Sequence, residues 1–553
     1  MCGVLFRLQF KKSLKDDSFH KELWNQLMIR NRQRGPDSQG ELFKSIQSQL
    51  FTIDLTFFGA VLHLRGPSVV EQPLTENDEQ DVLLWNGEIF NGVEIPPGEN
   101  DTKYLFAALK MSHKIENDNE EKNRILHTLQ NIEGPYAIIY WQNSKRRLWF
   151  GRDCLGRRSL LWNLPSEEED NFILTSVGCK IPQISETSSS PYFAEVPADG
   201  IFYLDLDKMM SSASWEPFKN FLVHYKWHGV NNPDNNESSY ILTLPFGKVN
   251  DILPNPEDLS QLPASSDLSN SFIPAISPKI QDAIDRLIEE LGDSVRRRVI
   301  DIPRVGLIQD ARVAIIRSNR STKYRLTGRQ GVEELRKIAP NRKWNFVEVN
   351  VPYEEACAFK PEIIELMAPS DTIMDLSIAM AFWFAVRGKG QVASLNDPKI
   401  MIDYESKARV ILVGVGADEL LGGYSRHREA FKQHGWKKLI EEIQLDVDRI
   451  STRNLGRDDR IITSHSKESR FPYLASNVVS FLCSLPMYIK ADMRYERGIG
   501  EKLLLRHVAR QLGLFNASIL WKRAIQFGAK TAKMTKIKYK IKFFNTILYY
   551  NHK

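Results

Sequence analysis

Met1-Cys2-Gly3-Val4-Leu5-Phe6-Arg7-Leu8-Gln9-Phe10 opens the chain, and the reading of everything after it turns on this stretch. Val4, Phe6, Leu8 and Phe10 alternate with other residues, which predicts a strand with one buried face. Such a strand would hold Cys2 in a fixed place, where a free terminus would otherwise fray. If Met1 is removed, Cys2 carries a thiol and a free α-amine, a nucleophile beside a candidate base on one residue. An α-amine titrates near ~8, so part of it is neutral at physiological pH and able to take a proton.

A chain of 553 residues is long for one domain, and two or three are expected. A hydrophobic share of 42% and a charged share of 26% are those of a globular protein. The net charge of +5 is small for the length, and much of the basic excess sits near the C-terminus, so nucleic acid is not an expected partner. Cys2, Cys154, Cys179, Cys357 and Cys483 are scattered with no CxxC pair, which argues against a zinc site or disulfide framework and for a reducing compartment. No secretory leader is expected, and no apolar run reaches the roughly 18 residues that span a bilayer. A cytoplasmic protein with no membrane partner is therefore the expectation, and the oligomeric state stays open.

Along the chain, residues His20 to Asn31 carry Leu23, Leu27 and Met28 at helical spacing. Arg34-Gly35-Pro36-Asp37-Ser38-Gln39-Gly40 reads as a turn, with Gly40 permitting a second bend. Two strands, Leu50 to Phe58 and Ala60 to Leu64, lead to Arg65, which is either a surface arginine or a guanidinium able to hold a carboxylate. Val82 to Trp85 is an apolar strand running into Asn86-Gly87-Glu88-Ile89-Phe90-Asn91. An Asn-Gly pair most commonly turns a hairpin, yet an Asn amide beside a Gly N–H is also a workable oxyanion hole. Asp101 or Thr102 is positioned to cap a helix over Lys103 to Lys110. Ile132 to Trp141 and Leu148 to Gly151 supply further strands, the second ending in Arg152-Asp153-Cys154-Leu155-Gly156. Short strands with two helices up to about residue 176 suit an α+β arrangement of packed sheets flanked by helices.

Five motifs in order, Cys2, Arg34-Gly35-Pro36-Asp37, Asn86 to Asn91, Asp101 and Arg152 to Gly156, resemble the class II glutamine amidotransferase domain. The resemblance covers residues 2–185, with strands such as Gly200 to Leu204 extending it to about 210. It implies a four-layer αββα sandwich of the N-terminal nucleophile type. It also implies that Cys2 attacks the side-chain amide of glutamine, releasing ammonia and leaving a glutamyl thioester for water. Asn86 and the Gly87 N–H would then form the oxyanion hole, while Arg65 and Asp101 hold the α-carboxylate and α-amine of glutamine.

Residues 211–278 are rich in Asn, Pro, Ser and Asp and read as a connector with some extended pieces. An amphipathic helix follows, carrying Ile284, Leu287, Ile288, Leu291 and Val295, and Arg296-Arg297-Arg298 complement the dipole at its end. Met374 to Arg387 reads as a helix, and Arg312 to Ile316, Trp344 to Val351 and Arg409 to Val413 as strands. The last leads into Gly414-Val415-Gly416-Ala417-Asp418-Glu419-Leu420-Leu421-Gly422-Gly423-Tyr424, a glycine turn of the kind that presents N–H groups to phosphates. Two carboxylates beyond the glycines suit Mg2+. With Glu468-Ser469-Arg470-Phe471-Pro472 and Trp521-Lys522-Arg523-Ala524-Ile525-Gln526-Phe527-Gly528, residues 279–534 resemble the asparagine synthetase domain, an α/β parallel-sheet fold of the ATP-pyrophosphatase type.

That second resemblance implies ATP and Mg2+, no prosthetic group, and an aspartate-like acceptor in addition to glutamine. Gly414, Gly416, Asp418, Glu419 and Lys522 would lie at the ATP pyrophosphate, with Asp418 and Glu419 on the metal. The chain departs from the pattern at three places. Arg317-Ser318-Asn319-Arg320-Ser321-Thr322 stands where a Ser-Gly-Gly-x-Asp-Ser loop belongs, Val415 where Glu is usual, and Ala524 where many carry Lys. The phosphate loop is thus degenerate, and residues 535–553 are a basic tail without a motif. The expectation is a glutamine-hydrolysing asparagine synthetase-like protein, whose ammonia is destined for an ATP-activated carboxylate in asparagine biosynthesis. A glutaminase alone and a non-catalytic scaffold are the alternatives.

Overall fold

The computed structural model describes residues 2–11, 18–47, 52–76, 80–165, 171–179, 193–211, 218–229, 240–260, 278–300, 302, 305–308, 313–316, 323–394, 397, 399–521 and 525. Its first half runs β1 (Cys2–Lys11), α1 (Ser18–Arg34), β2 (Ser38–Gln47), β3 (Thr52–Val61), β4 (Val82–Gly87), α2 (Asp101–Lys110), α3 (Asp118–Asn131), β5 (Tyr136–Gln142) and β6 (Arg147–Arg152). It continues through β7 (Leu161–Asn163), β8 (Asn171–Thr175), β9 (Ala194–Glu195), β10 (Gly200–Asp205), β11 (Leu222–His228) and β12 (Leu242–Thr243). Two sheets result, ordered β2-β3-β1-β8-β7-β9 and β12-β11-β10-β6-β5-β4.

Period-two alternation explains how these sheets are covered. Val4, Phe6 and Leu8 of β1 join an apolar layer with Leu84 of β4, Ile139 of β5, Phe150 of β6 and Phe202 of β10, so one face of each sheet meets the other. Leu5, on the opposite face of β1, packs with Leu23, Trp24 and Leu27 of α1. Leu83 and Trp85 of β4 turn instead toward Phe106 of α2 and Leu126 of α3. Each such side chain taken out of water stabilises by roughly 1.5–3 kcal/mol before its ordering entropy is counted. A Cβ on Gly3 would stand 2.3 Å from the Asn31 carbonyl oxygen, so α1 lies this close to β1 only because residue 3 is glycine.

Several local expectations are corrected. Ser38–Gln47 is an edge strand rather than a turn with a bend at Gly40; its residues alternate between half-buried and exposed, which leaves little apolar signal. β3 is one strand through Gly59, not two. Asn86-Gly87 is no hairpin turn, because both residues end β4 in register with Ala137 and Tyr136 of β5. The cap of α2 is Asn100, whose side chain accepts from the Thr102 N–H, so neither Asp101 nor Thr102 serves that purpose. Part of the connector is regular: β11 extends the second sheet beside β10, and Pro256–Ser260 is helical.

The second half contains parallel strands, as expected. Val305–Ile308, Val410–Val413 and Glu468–Arg470 form one sheet, and Val313–Ile316 pairs with Val349–Pro352. The helix Pro278–Val299 buries Ile284 and Leu287 in the core of this half. Its terminal arginines do more than offset a dipole: Arg297 pairs with Glu133 at 2.8 Å, and Arg298 is buried over the ring of Phe90. The loop residues 317–322, Lys522, Ala524 and the tail 535–553 lie outside the described residues. Among the described residues no helix is long and apolar enough to cross a membrane.

The halves meet across buried charge. Arg34 is 1% exposed; its Nη2 lies 2.9 Å from Asp459 Oδ2, its Nη1 donates to Thr463 Oγ1, and its Nε donates to the Cys2 carbonyl at 3.4 Å. Asp37, from the same motif, accepts both Nη groups of Arg409 at 2.7 and 2.9 Å. Removing one partner of a buried pair strands the other charge, at a typical cost of about 3–5 kcal/mol. Arg34→Met should lower the denaturation midpoint accordingly, whereas the more exposed Arg409→Met should shift it by no more than about 1 kcal/mol. Equal shifts in urea titrations of the two variants would contradict this ranking.

Candidate active site

β1 begins at Cys2, which is in register with Val61 of β3. Its thiol is 7% exposed and belongs to the layer between the sheets. The Cys2 N–H donates to Asn86 Oδ1 at 3.0 Å. That contact fixes which end of the Asn86 amide is oxygen, so the nitrogen end faces elsewhere. Asn86 Nδ2 is buried and has no hydrogen-bond partner among the described residues. Beside it, a Cβ on Gly87 would lie 2.5 Å from the Trp85 ring and 2.9 Å from the Pro135 carbonyl oxygen, which restricts this position to glycine. Burial pushes the Cys2 thiol up; the positive chain terminus and the Leu62 N–H pull it down, and the carboxylates of Asp101 and Glu468 push it further up.

Arg65 and Asp101 are brought together on the backbone of one residue. Arg65 Nη1 donates to the Ile89 carbonyl at 2.8 Å, and the Ile89 N–H donates to Asp101 Oδ2 at 2.9 Å. Burial pushes the Asp101 carboxyl up, against the pull of the Ile89 N–H and of Arg65. Asn100 completes the corner, donating from Nδ2 to the Arg65 carbonyl at 3.0 Å. Cys2, Arg65 and Asp101 thus all contact the segment 86–89, which contains Asn86 and Gly87. Asp153 has a framework role: its carboxylate accepts the N–H groups of Tyr136, Leu155 and Arg157, which fixes the turn after β6.

Second-half residues reach the same segment, and local sequence gave no sign of it. Arg470 Nη2 lies 3.1 Å from Glu88 Oε1, and Arg470 also bonds Glu468 and, at 2.6 Å, the Arg298 carbonyl. Burial pushes Glu88 up to about 7 despite Arg470. Glu468 behaves oppositely: burial opposes ionisation, but Arg470, the chain terminus and Arg158 together hold it down to about 2. Gln72 was also missed; its Nε2 lies 3.6 Å from Cys2 Sγ. The nearest usable signals were Glu88 inside its motif and the Glu468-Ser469-Arg470 run, neither of which names a partner.

A family profile for the glutamine amidotransferase domain matches residues 1–188, and one for asparagine synthase matches residues 432–548. Asparagine synthetase domain-containing protein 1 of Homo sapiens is 34% identical to the chain, over 97% of this chain and 96% of its own length. The chain belongs to the asparagine synthetase domain-containing protein family. The Mus musculus protein of the same description is also 34% identical, over 97% of each chain, and a Saccharomyces cerevisiae relative is 31% identical over 87% of this chain and 85% of its own. A solved glutamine phosphoribosylpyrophosphate amidotransferase from B. subtilis aligns with 41% of the chain and 49% of its own at 14% identity and a TM-score of 0.27. The family is one of glutamine-dependent amidotransferase-like proteins, and its asparagine synthase domain implies ATP use.

In this member of the family, Gly414, Gly416, Asp418 and Glu419 form a second cluster whose carboxylates are already engaged. Gly416 takes φ +101° and donates its N–H to Glu419 Oε2 at 3.1 Å, while the Tyr424 hydroxyl donates to Glu419 Oε1. Lys502 Nζ lies 2.9 Å from Asp418 Oδ1. Among the described residues no group of three or more His, Cys, Asp or Glu side chains is placed to hold a metal ion.

The depressed pKa of Glu468 gives a pH prediction. Its folded value of about 2 lies below the ordinary value of 4.5, so its stabilisation is complete above the ordinary value and is lost as pH falls through about 2. Stability measured by denaturant titration should therefore fall between those limits, and Glu468→Gln should flatten that acid limb. An unchanged slope in the variant would show that another group carries it.

Proposed function

We propose that the chain hydrolyses glutamine to glutamate and ammonia at Cys2, in a first unit spanning residues 2–185 with strands to about 210. An αββα sandwich of the N-terminal nucleophile type is the reading supported by the three apolar layers around its sheets. Residues 211–278 then serve as the connector and 279–534 as the synthetase-like unit. The observation that carries the proposal is Asn86 Nδ2. A buried donor without a partner costs about 1–3 kcal/mol, and its oxygen end is held by the residue that bears the nucleophile. Such a donor is stabilising only when charge develops in front of it.

With Met1 removed, the Cys2 α-amine takes the thiol proton. The sulfur attacks the side-chain amide carbon of glutamine, and the negative oxygen that forms meets Asn86 Nδ2 and the Gly87 N–H. The ammonium returns its proton to the departing nitrogen, which leaves as ammonia, and a glutamyl thioester remains. Water, deprotonated by the same amine, opens the thioester and releases glutamate. Because burial disfavours a free thiolate, proton transfer to an amine on the same residue is the economical route. In this reading Asp101 takes the substrate α-amine and Arg65 its α-carboxylate, and the bonds of both to the Ile89 backbone support it.

The second unit fits ATP and Mg2+ less well. Lys502 lies against Asp418, and Glu419 accepts from Gly416 and Tyr424, so both carboxylates already have partners within the chain. The arrangement favours glutamine hydrolysis over complete asparagine synthesis.

Cys2→Ala should abolish glutamate release from glutamine. Asn86→Ala should lower kcat about a hundredfold with KM little changed. With ATP and aspartate added, no AMP should form. Glutamate release that persists in Cys2→Ala would refute the nucleophile, and AMP formation would refute the preference for hydrolysis over asparagine synthesis.

A further inference from the structure

Gln72 has no part in the mechanism above, yet its side chain is 2% exposed and every polar atom on it is used. Its Oε1 accepts the Trp85 N–H at 2.8 Å. Since that N–H can only donate, the atom facing it must be the amide oxygen, which leaves Nε2 as the donor end. Nε2 lies 3.0 Å from the Trp85 carbonyl and 3.6 Å from Cys2 Sγ, so its two hydrogens have two acceptors. A 3.6 Å separation is within reach for a sulfur acceptor, whose radius exceeds that of oxygen.

The surroundings hold this amide in one place. A Cβ on Gly59 would stand 2.7 Å from the Gln72 Cβ, and one on Gly40 would stand 2.6 Å from the Gln72 carbonyl oxygen. Two glycines in neighbouring strands therefore make room for the segment that carries the amide. Trp85, which grips it, directly precedes Asn86, so the sulfur donor and the vacant Asn86 donor hang from adjacent residues of β4.

We propose that Gln72 is a second hydrogen-bond donor to the reacting sulfur of Cys2, stabilising the thiolate at the moment of attack and aiming it toward the space before Asn86 Nδ2. The proposal rests on the reading of Cys2 as the nucleophile and deepens it. The Leu62 N–H offsets part of what burial and the nearby carboxylates cost the anion, and the Gln72 amide, 3.6 Å from the sulfur, adds a second donor. A donor to a charged sulfur strengthens as the charge forms, so its loss should appear in kcat rather than in KM.

The test measures the pH profile of Cys2 alkylation by iodoacetamide, itself an amide, read on the Cys2 peptide by mass spectrometry beside glutaminase kinetics. Gln72→Met keeps the length and removes the donor. Gln72→Glu keeps the acceptor for Trp85 and, once ionised, sets a negative oxygen where the donor stood, so it remains informative if the Met variant folds poorly. Gln72→Met should raise the alkylation midpoint by about one pH unit and lower kcat about tenfold with KM nearly constant. Gln72→Glu should raise the midpoint further. Unshifted midpoints in folded variants would overturn the proposal, as would a loss confined to KM. A shifted midpoint in a protein that releases no glutamate would uphold the contact to sulfur and refute the glutaminase reading; glutamate release with unshifted midpoints would do the reverse.

Discussion

A guanidinium in the dry seam between the halves ties the structure together. Arg34 ends α1, holds the carbonyl of Cys2, and reaches across to Asp459 and Thr463. The position of the N-terminal thiol is thus set partly by a helix more than four hundred residues away in sequence. Arg34 does not act alone. Arg158 donates to the Ser469 carbonyl and faces Glu468, Arg460 pairs with Glu195, and Arg470 spans Glu88 and Glu468. Buried ions lose several kcal/mol of hydration each, and single pairs seldom recover it. A mesh in which most guanidinium groups meet two or more acceptors comes closer to doing so.

Much of the first half was legible because its information is local. The alternation in β1, the apolar run of β4 and the Asn86-Gly87-Glu88 motif each announce themselves within a few residues. β2 did not, because an edge strand with no fully buried position has little apolar periodicity to show. The bend assigned to Gly40 was a misreading of the same kind: that glycine answers to Gln72, a residue on another segment. Gln72, Glu468 and Arg470 acquire their meaning from distant partners, and no window along the chain contains both members of such a pair. The family resemblance supplied Arg65 and Asp101, but the bracing of both by Ile89 is visible only in three dimensions.

The second half has the expected parallel strands, and its glycine turn is engaged by the chain's own side chains. Gly416 still adopts the left-handed backbone such a turn uses. Its N–H, however, points at Glu419 rather than outward, and Lys502 occupies the neighbouring carboxylate. Each Glu419 oxygen thus already accepts one hydrogen bond from within the turn.

The seam also bears on which parts of the chain are dispensable. Were residues 455–470 deleted, Arg34 would lose Asp459, Arg158 would lose Asp459 and Glu468, and Glu88 would lose Arg470. The second half is therefore indispensable as scaffolding whatever becomes of its own chemistry.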